Sequence, residues 1–538
     1  MTIPGLDEQT RALVLANLRR LGGDELAPAA TLRWDAADAP PVELLRRLLG
    51  PAIGLHLVFL PPEHGGLGAG ARDVALVAEE LARYDLGVAT AFLGLAISAN
   101  PMRAGGTPAQ RERWLGAMAA RGLLAALAVT EPEGGSNVAA LATTATPVVA
   151  DGQPPAYRLD GTKQFVSNGG LADLYLVLAQ APGGPSFFIV EAGTPGLKVQ
   201  PREAKHGLRS SATAPIVLED AVVPADQLLG GVEGQGLAQA NAVFAHSRLM
   251  VAAFGLGAGE AALGRAVAYS QDRQQGGKPL CRLKGFTHKL LIPHVVRLEA
   301  ARGYVAELAQ RLDAGETDLD VEGAAAKLFA TEAGSAAADA AVQAHGGYGY
   351  LRDFVVEKIR RDVRVTTIYE GTSELQQAGL YLARFRTMLR TKGGFYREAA
   401  ARVRPLGPAV AADLVADTAE ALGHAVWTLH QAKISREQHV MFELADRIAE
   451  VEHALAFCRH AANAAAPLQA ACRLFAAEAA RAVAVSAVRV MAASRAGEPE
   501  LTALAHALKT DALLATRYGS DEDKEQVLGW VLAAGWPG

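Results

Sequence analysis

The sequence predicts an α+β chain that is mainly α: an N-terminal helical domain, a middle β-barrel or β-sandwich domain, a helical bundle and a C-terminal helical extension. Three observations carry this expectation. Apolar residues recur at three- and four-residue steps before about residue 120 and again from about residue 235. Between those stretches, short β-rich runs alternate with clusters of Gly, Pro, Asn and Asp, the texture of a small all-β domain. After a Gly-rich linker, Thr391 to Phe395, the chain turns Ala-rich and helical almost to its end. These transitions place the domains at 1–121, 122–233, 234–392 and 393–538.

Each element has a local reason. In Ala71 to Asp85, Val74, Val77, Leu81 and Tyr84 share one helical face, and Thr107 stands where the next helix takes its N-cap. The β texture consists of LLAALAVT, ATTATPVVA, YRLDGTKQFVS, LYLVLAQA, SFFIVEA, LKVQP and APIVLEDAVVP. From Gln235 long helical patterns return, notably HSRLMVAAFGLGAGEAALGRAVAYSQDR. In the last region FELADRIAEVEHALAFCRHAANA and LQAACRLFAAEAARAVAVSAVRVMAAS hold no strand signal. Ala-rich faces let helices approach closely, which points to packing or oligomer contact.

Composition narrows the function classes. Of 538 residues, 50% are hydrophobic and 20% charged, a globular balance. Lys and Arg number 52 against 57 Asp and Glu, a net charge of −5, and no basic stretch appears. Nucleic acid is therefore not an expected partner, because neutralising phosphates needs a basic face. Cys281, Cys458 and Cys472 share no metal or redox spacing and suit a reducing compartment as small core hydrophobes. The histidines form no HExxH or Cys-paired motif, so no metal is expected. The N-terminal stretch carries Asp7, Glu8, Asp24 and Glu25 rather than a basic start and an apolar run, which makes the cytoplasm the expected compartment. No uninterrupted apolar run of about 18 residues predicts a spanning helix. The extension mixes Arg with Glu, which gives membrane-surface association no support.

Four runs have the make-up for chemistry. Val129-Thr130-Glu131-Pro132-Glu133-Gly134-Gly135-Ser136-Asn137 follows a strand pattern. A strand entering a Gly-Gly-Ser loop presents N–H groups and hydroxyls, and the missing Cβ atoms let a flavin edge or a pyrophosphate come close. Taken alone, the run reads equally well as a Pro/Gly turn. GTKQFVSNGG, Gly161 to Gly170, repeats the design, with Phe165 suited to lie on a planar ring and Ser167 to hydrogen-bond, or it is a hairpin. QAHGGYGY, Gln343 to Tyr350, and GLGAGE, Gly255 to Glu260, look like nucleotide-binding glycines, but neither opens a strand–turn–helix unit and a Rossmann site is not supported. The last run is RDVRVTTIYEGTSELQ, Arg361 to Gln376. There Thr367-x-x-Glu370 matches a capping box, and in isolation starting a helix is the commoner use of such a Glu.

Together and in this order, the four runs resemble the acyl-CoA dehydrogenase family of FAD enzymes. PPEHGGLG (Pro61 to Gly68), HGLRSSAT (His206 to Thr213), the EDAVVPADQLLG that follows it, and DRQQGGKPL (Asp272 to Leu280) support the likeness, which covers about residues 55 to 390. The region after about residue 395, especially REQHVMFELADRIAEVEHALAFCRHA, resembles more loosely the extra helical domain of the very-long-chain members.

The resemblance implies α,β-dehydrogenation of a saturated acyl-CoA, of medium to very long chain, to the trans-2-enoyl-CoA. It makes Glu370 the base that takes the α-proton while the β-hydrogen leaves as hydride to flavin N5. It places FAD contacts at Val129, Thr130, Gly135 and Ser136, at Phe165 and Ser167, and at Gln343, Gly346, Gly347, Thr372 and Gln376. Arg273 and Gln275 would be supplied by a neighbouring subunit. For the acyl-CoA it points to Ser136, Arg248, Tyr369 and Gly371, with the backbone N–H of Glu370 facing the thioester oxygen. It further implies an electron-transfer flavoprotein as acceptor and a homodimer, the extension filling space that a second dimer takes in shorter members.

Some positions depart from the family pattern. Asn137 stands where Asp is usual, Gly276 replaces an aromatic, and Ala245 replaces an Asp near CoA in medium-chain members. Some members carry the base on a helix just before the arginine matching Arg248. Here that residue is Ser247, which leaves the loop position for the base. Two other readings stay open: another flavin reaction on the same fold, an acyl-CoA oxidase or a desulfinase, and a mainly scaffolding flavoprotein motivated by the extension.

Overall fold

The computed structural model describes residues 5–136, 140–148, 154–242, 244–431, 433–493, 502, 513–516 and 519–534. Its contacts divide the chain into two units, Met1–Met250 with Ala309–Thr317, and Val251–Leu308 with Asp318–Gly538.

The first unit opens with helices α1 (Glu8–Glu25), α2 (Pro28–Ala37), α3 (Val42–Leu48), α4 (Ala71–Tyr84), α5 (Leu86–Gly105) and α6 (Pro108–Arg121). Several begin on side chains that satisfy their free N–H groups. Asp7 accepts from the Thr10 amide at 2.8 Å, and Asp85 from that of Val88 at 2.9 Å. Thr107 and Gln110 cap α6 reciprocally, so the expected N-cap is also a capping box. Val77 and Leu81 of α4 are buried, while Val74 and Tyr84 are half-buried at its margin.

Every β-rich run of the sequence contains a strand: β1 (Ala125–Ala128), β2 (Thr144–Val148), β3 (Ala156–Ser167), β4 (Leu174–Ala181), β5 (Gly184–Glu191), β6 (Leu197–Val199) and β7 (Thr213–Pro224). They build one seven-stranded sheet in the order β1-β4-β2-β3-β7-β6, with β5 beside β4. Val177, Phe188, Val190, Ile216 and Leu218 form the centre of its core. Two register shifts interrupt the antiparallel β3–β7 ladder, between Leu159 and Gly161 and between Lys163 and Val166. Such bulges bend a strand and re-aim the side chains beyond them. Asn168 at the end of β3 donates to the carbonyls of Ala91 in α5 (3.0 Å) and Ala125 in β1 (3.3 Å), fixing that end of the strand against the helices.

Helices α7 (Gly236–Asn241) and α8 (Phe244–Asp272) follow. The Gly236–Asp272 stretch is long and apolar enough to cross a membrane by length and composition alone, yet 76% of its most apolar window is buried in protein. Within the second unit, α8 crosses α11 (Asp320–His345) at backbone contact. A Cβ on Gly255 would stand 2.6 Å from the Ala330 carbonyl oxygen, and one on Gly334 would overlap Gly255. Gly255 and Gly259 of GLGAGE are therefore helix-packing glycines. After α8 a short hairpin, β8 (Gln274–Gln275) and β9 (Lys278–Pro279), turns on Gly276 and Gly277, whose φ of 59° and 75° are those of a two-residue primed turn.

The second unit continues with α9 (Lys284–Leu290), α10 (Ile292–Asp313, whose last turns belong to the first unit), α12 (Val355–Val363), α13 (Ser373–Arg390) and α14 (Gly394–Val403). The extension adds α15 (Ala412–Gln431), α16 (Gln438–Ala461), α17 (Ala466–Ala493) and α18 (Asp521–Ala534). Ala445, Ala449 and Ala456 of α16 and Ala470, Ala477 and Ala480 of α17 are buried, the close packing that the Ala-rich faces suggested. Cys458 and Cys472 meet there with their sulfurs 3.8 Å apart.

Candidate active site

In the first unit, the loop after β1 is shaped by Glu131. Its N–H and carbonyl exchange hydrogen bonds with those of Gly134, both 3.1 Å, closing the Pro132–Glu133 turn. Its carboxylate accepts from the amides of Ala142 (2.6 Å) and Thr143 (3.0 Å) and from the Lys163 ammonium (2.7 Å). Lys163, fully buried on β3, also donates to the Val129 carbonyl at 3.1 Å, and the Gln164 amide donates to that of Thr130 at 2.8 Å. Burial raises the Glu131 carboxyl, but the Lys163 ammonium and the bonds from Thr143 and Ala142 outweigh it and hold it at about 2. Charge and backbone thus join two of the four sequence runs.

Neither residue is among the candidates that the sequence motifs single out, although a signal exists. Counting in twos from Leu159 puts Lys163 on the inward face of β3, and an inward lysine needs a carboxylate.

This frame leaves the candidate ligand groups open. Val129, Thr130 and Ser167 are half-buried, and Gly135 and Ser136 are exposed. Phe165 sits in the second bulge with φ of 55°, a conformation unusual for an aromatic, and its side chain is 63% exposed. An apolar ring held outward on a strained backbone suits stacking on a planar ligand. Asn137 lies outside the described residues. On α8 the Arg248 guanidinium lies 5.0 Å from the Phe244 ring centre, the Ser247 hydroxyl donates to the Phe244 carbonyl at 3.1 Å, and Ala245 is buried.

In the second unit, the capping-box reading of Glu370 is corrected. α13 begins at Ser373, and its N-cap is Thr372, whose hydroxyl accepts from the Leu375 amide at 3.4 Å. Thr367 instead ends a 3-10 turn and donates to the Arg364 carbonyl at 3.0 Å. Glu370 lies two residues before the cap in the left-handed region, with φ of 56°, followed by Gly371 at 90°.

Two buried side chains hold this turn by its carbonyls. The Gln376 amide donates to Glu370 O at 2.9 Å and to Gly371 O at 3.3 Å, and the Lys327 ammonium donates to Gly371 O at 2.7 Å. A Cβ at position 371 would overlap the Gln376 amide nitrogen. Ser373 donates to Glu332 at 2.6 Å, anchoring the first residue of α13. Tyr369 is half-buried beside the turn. Lys327, Glu332 and Ser373 were missed, although a lysine inside the apolar run AAAKLFA was visible as a charge in need of a partner.

Gln343, Gly346 and Gly347 close α11 and lie exposed. The ring of His345, between them, stacks on Tyr269 of α8 at 4.5 Å, drawing this end of α11 to the last turn of α8, just before Arg273. Arg273 and Gln275 are exposed at the β8–β9 hairpin. The structure therefore gathers Glu370, Gly371, Thr372 and Gln376 in one turn, and places Gln343, Gly346 and Gly347 near the α8 end that leads to Arg273 and Gln275.

The residues present fit a flavin dinucleotide. Every candidate cofactor position except Gln376 is exposed or half-buried. Among the described residues, no atom outside the glycine and its chain neighbours lies within 4 Å of where a Cβ on Gly134, Gly346 or Gly347 would stand, so packing there does not require them. Within the first unit, the Gly134–Gly135 loop, the hydroxyls of Thr130, Ser136 and Ser167 and the outward Phe165 make a donor set for phosphates and a flat heterocycle.

Models of the N-terminal, middle and C-terminal domains of acyl-CoA dehydrogenases match residues 8–122, 126–221 and 234–381. The short-chain specific acyl-CoA dehydrogenase of Megasphaera elsdenii is 38% identical over 66% of this chain and 92% of its own. The butyryl-CoA dehydrogenase structure from the same organism superposes with a TM-score of 0.66 at 36% identity, over 70% of this chain and 98% of that one. An acyl-CoA dehydrogenase of Bacillus anthracis, solved with FAD, superposes with a TM-score of 0.85 over 99% of this chain and 97% of its own. At 24% identity it shares the fold, C-terminal helices included. The chain belongs to the acyl-CoA dehydrogenase family of FAD-dependent oxidoreductases.

Proposed function

We propose that this enzyme converts a saturated acyl-CoA to the trans-2-enoyl-CoA, with Glu370 as the base. The observation that supports this most is the turn at Glu370 and Gly371. It is strained, it caps no helix, and two buried donors hold it through its carbonyls. Strain kept in place by its surroundings is characteristic of working sites.

In the reaction the Glu370 carboxylate takes the α-proton, and the pair of electrons from that C–H bond forms the double bond as the β-hydrogen leaves as hydride. FAD, when bound, accepts that hydride at N5. The Glu370 backbone N–H donates to the thioester oxygen, where charge develops as the α-proton leaves. Gln376 and Lys327 orient this N–H and the carboxylate together. Tyr369 and Gly371 border the thioester, while Ser136 and Arg248 bind the CoA portion.

When FAD is bound, Val129, Thr130, Gly135, Ser136, Phe165 and Ser167 would contact its isoalloxazine and pyrophosphate portions, and Thr372 is a further candidate contact. Gln343, Gly346 and Gly347 would hold the dinucleotide, and Arg273 and Gln275, on their exposed hairpin, would reach that of a partner subunit in a homodimer. An electron-transfer flavoprotein takes up the electrons, as family membership suggests.

Two observations bear on chain length. The relative from Megasphaera elsdenii carries a short-chain specific name, whereas the helical extension favours the medium to very long chains of the very-long-chain members it resembles. The test is product analysis. The FAD-loaded enzyme, given saturated acyl-CoAs from short to very long and a dye acceptor, should form trans-2-enoyl-CoA from one chain-length class, and Glu370→Gln should form none. Hydrogen peroxide in stoichiometric yield without dye would make it an oxidase.

A further inference from the structure

α13 carries the catalytic turn at its N-terminus and presents one polar face to the extension. Gln377, Tyr381 and Arg384 lie along that face at i, i+4 and i+7. The Gln377 amide donates to Asp446 of α16 at 2.7 Å, and the Tyr381 hydroxyl to the carbonyl of Ser435, just before α16, also at 2.7 Å. Arg384 grips Glu452 of α16 with two donors, at 2.6 and 3.0 Å, and reaches Glu322 of α11 at 3.0 Å. Glu452 also accepts from Tyr396 at 3.1 Å and Tyr304 at 3.3 Å, so its carboxylate is locked in place.

The neighbour of Gln377 is Gln376, whose amide holds Glu370 and Gly371. A helix is stiff over two turns, so the rotation and height of α13 decide where the Gln376 amide stands. The extension therefore reaches the catalytic turn through a single rigid element. Short hydrogen-bonded chains of this kind carry positional information when each link has few alternatives.

We propose that Asp446 and Glu452 of the extension are positioning residues for the dehydrogenation. Acting through Gln377 and Arg384, they set the register of α13 at which Gln376 holds Glu370, which makes the extension part of the catalytic apparatus. This rests on the reading of Glu370 as base. The shorter relatives, which match about two thirds of the chain, must fix the same helix by other means.

Glu452 is a poor first target, since neutralising it strips the buried Arg384 of its main counter-charge. Asp446 is half-buried, and burial lifts its carboxyl above the ordinary range against the opposing Gln377 hydrogen bond and Arg447 charge. Asp446→Asn keeps an acceptor for the Gln377 amide, whereas Asp446→Ala removes it. The test uses the full FAD-loaded chain, with kcat counted per bound flavin and melting followed in parallel.

D446A and Q377A should each lower kcat by about tenfold while KM changes by less than about twofold, since small misplacements cost rate more than binding. The double variant should be no slower than the worse single, and D446N should recover most of the loss. A kcat per flavin equal to wild type in D446A, additive losses in the double variant, or no recovery in D446N would overturn the proposal. Glu370→Gln separates the two levels. An active E370Q refutes the base assignment itself, whereas an inactive E370Q beside a fully active D446A refutes only the role of the extension.

Discussion

Lys163 and Glu131 form a buried ion pair, Nζ to Oε1 at 2.7 Å, that fastens strand β3 to the loop after β1. Both side chains are withdrawn from water, and both have further backbone partners that satisfy what the pair leaves over. The open loop residues Thr130, Gly135 and Ser136 and the outward Phe165 all depend on this fastening.

Lys163→Met should therefore cost more than a surface charge would. Removing one partner of a buried pair leaves the other uncompensated, about 3–5 kcal/mol. The urea midpoint should fall accordingly, and purified protein should retain less FAD. An unchanged midpoint and full flavin content would show that the pair does not organise the loop.

The same pair predicts a pH response. The folded Glu131 carboxyl lies at about 2 against an ordinary 4.5, so its contribution is complete above about pH 4.5 and is lost as pH falls toward 2. In that window the melting temperature of the wild type should drop more steeply than that of Glu131→Gln. Parallel slopes would count against the pair as the source of the lowered value.

Gly371→Ala tests the catalytic turn. The new Cβ meets the Gln376 amide and sits at a φ of 90° that side chains resist. Stability should fall by about 1–3 kcal/mol, but kcat by about tenfold or more as the Gln376 hold on Glu370 is displaced. Steady-state rates per bound flavin, with melting curves alongside, distinguish the two effects, and a wild-type rate would mean that the hold is dispensable.

Two glycine substitutions should have opposite consequences. Gly255→Ala pushes α8 off α11 and should lose about 1–3 kcal/mol of stability by overpacking. Gly347→Ala meets no atom among the described residues, so the apoprotein should melt as the wild type does while its FAD affinity drops. Equal apoprotein melting temperatures for all three proteins would contradict the packing role of Gly255.

What was legible in the sequence was what local chemistry decides. The strand-forming runs and the Thr107 cap follow from β-rich runs set off by turn residues and from an N–H needing an acceptor. What stayed hidden was contact across distance. Nothing near Glu131 announces Lys163, nothing near Gly371 announces Lys327, and Gln377 lies 69 residues from Asp446. Local motifs also misled where tertiary structure chose otherwise. Thr367 and Glu370 have the spacing of a cap, but the helix starts on Thr372.

In the proposed reaction Glu370 abstracts a proton from a saturated acyl-CoA so that bound FAD is reduced. Anaerobic spectral titration of the holoenzyme with saturated acyl-CoAs from short to very long tests it most directly. One chain-length class should bleach the oxidised flavin band in the wild type and leave it intact in Glu370→Gln. Bleaching at the wild-type rate in that variant, or a flavin band that no acyl-CoA bleaches, would contradict it.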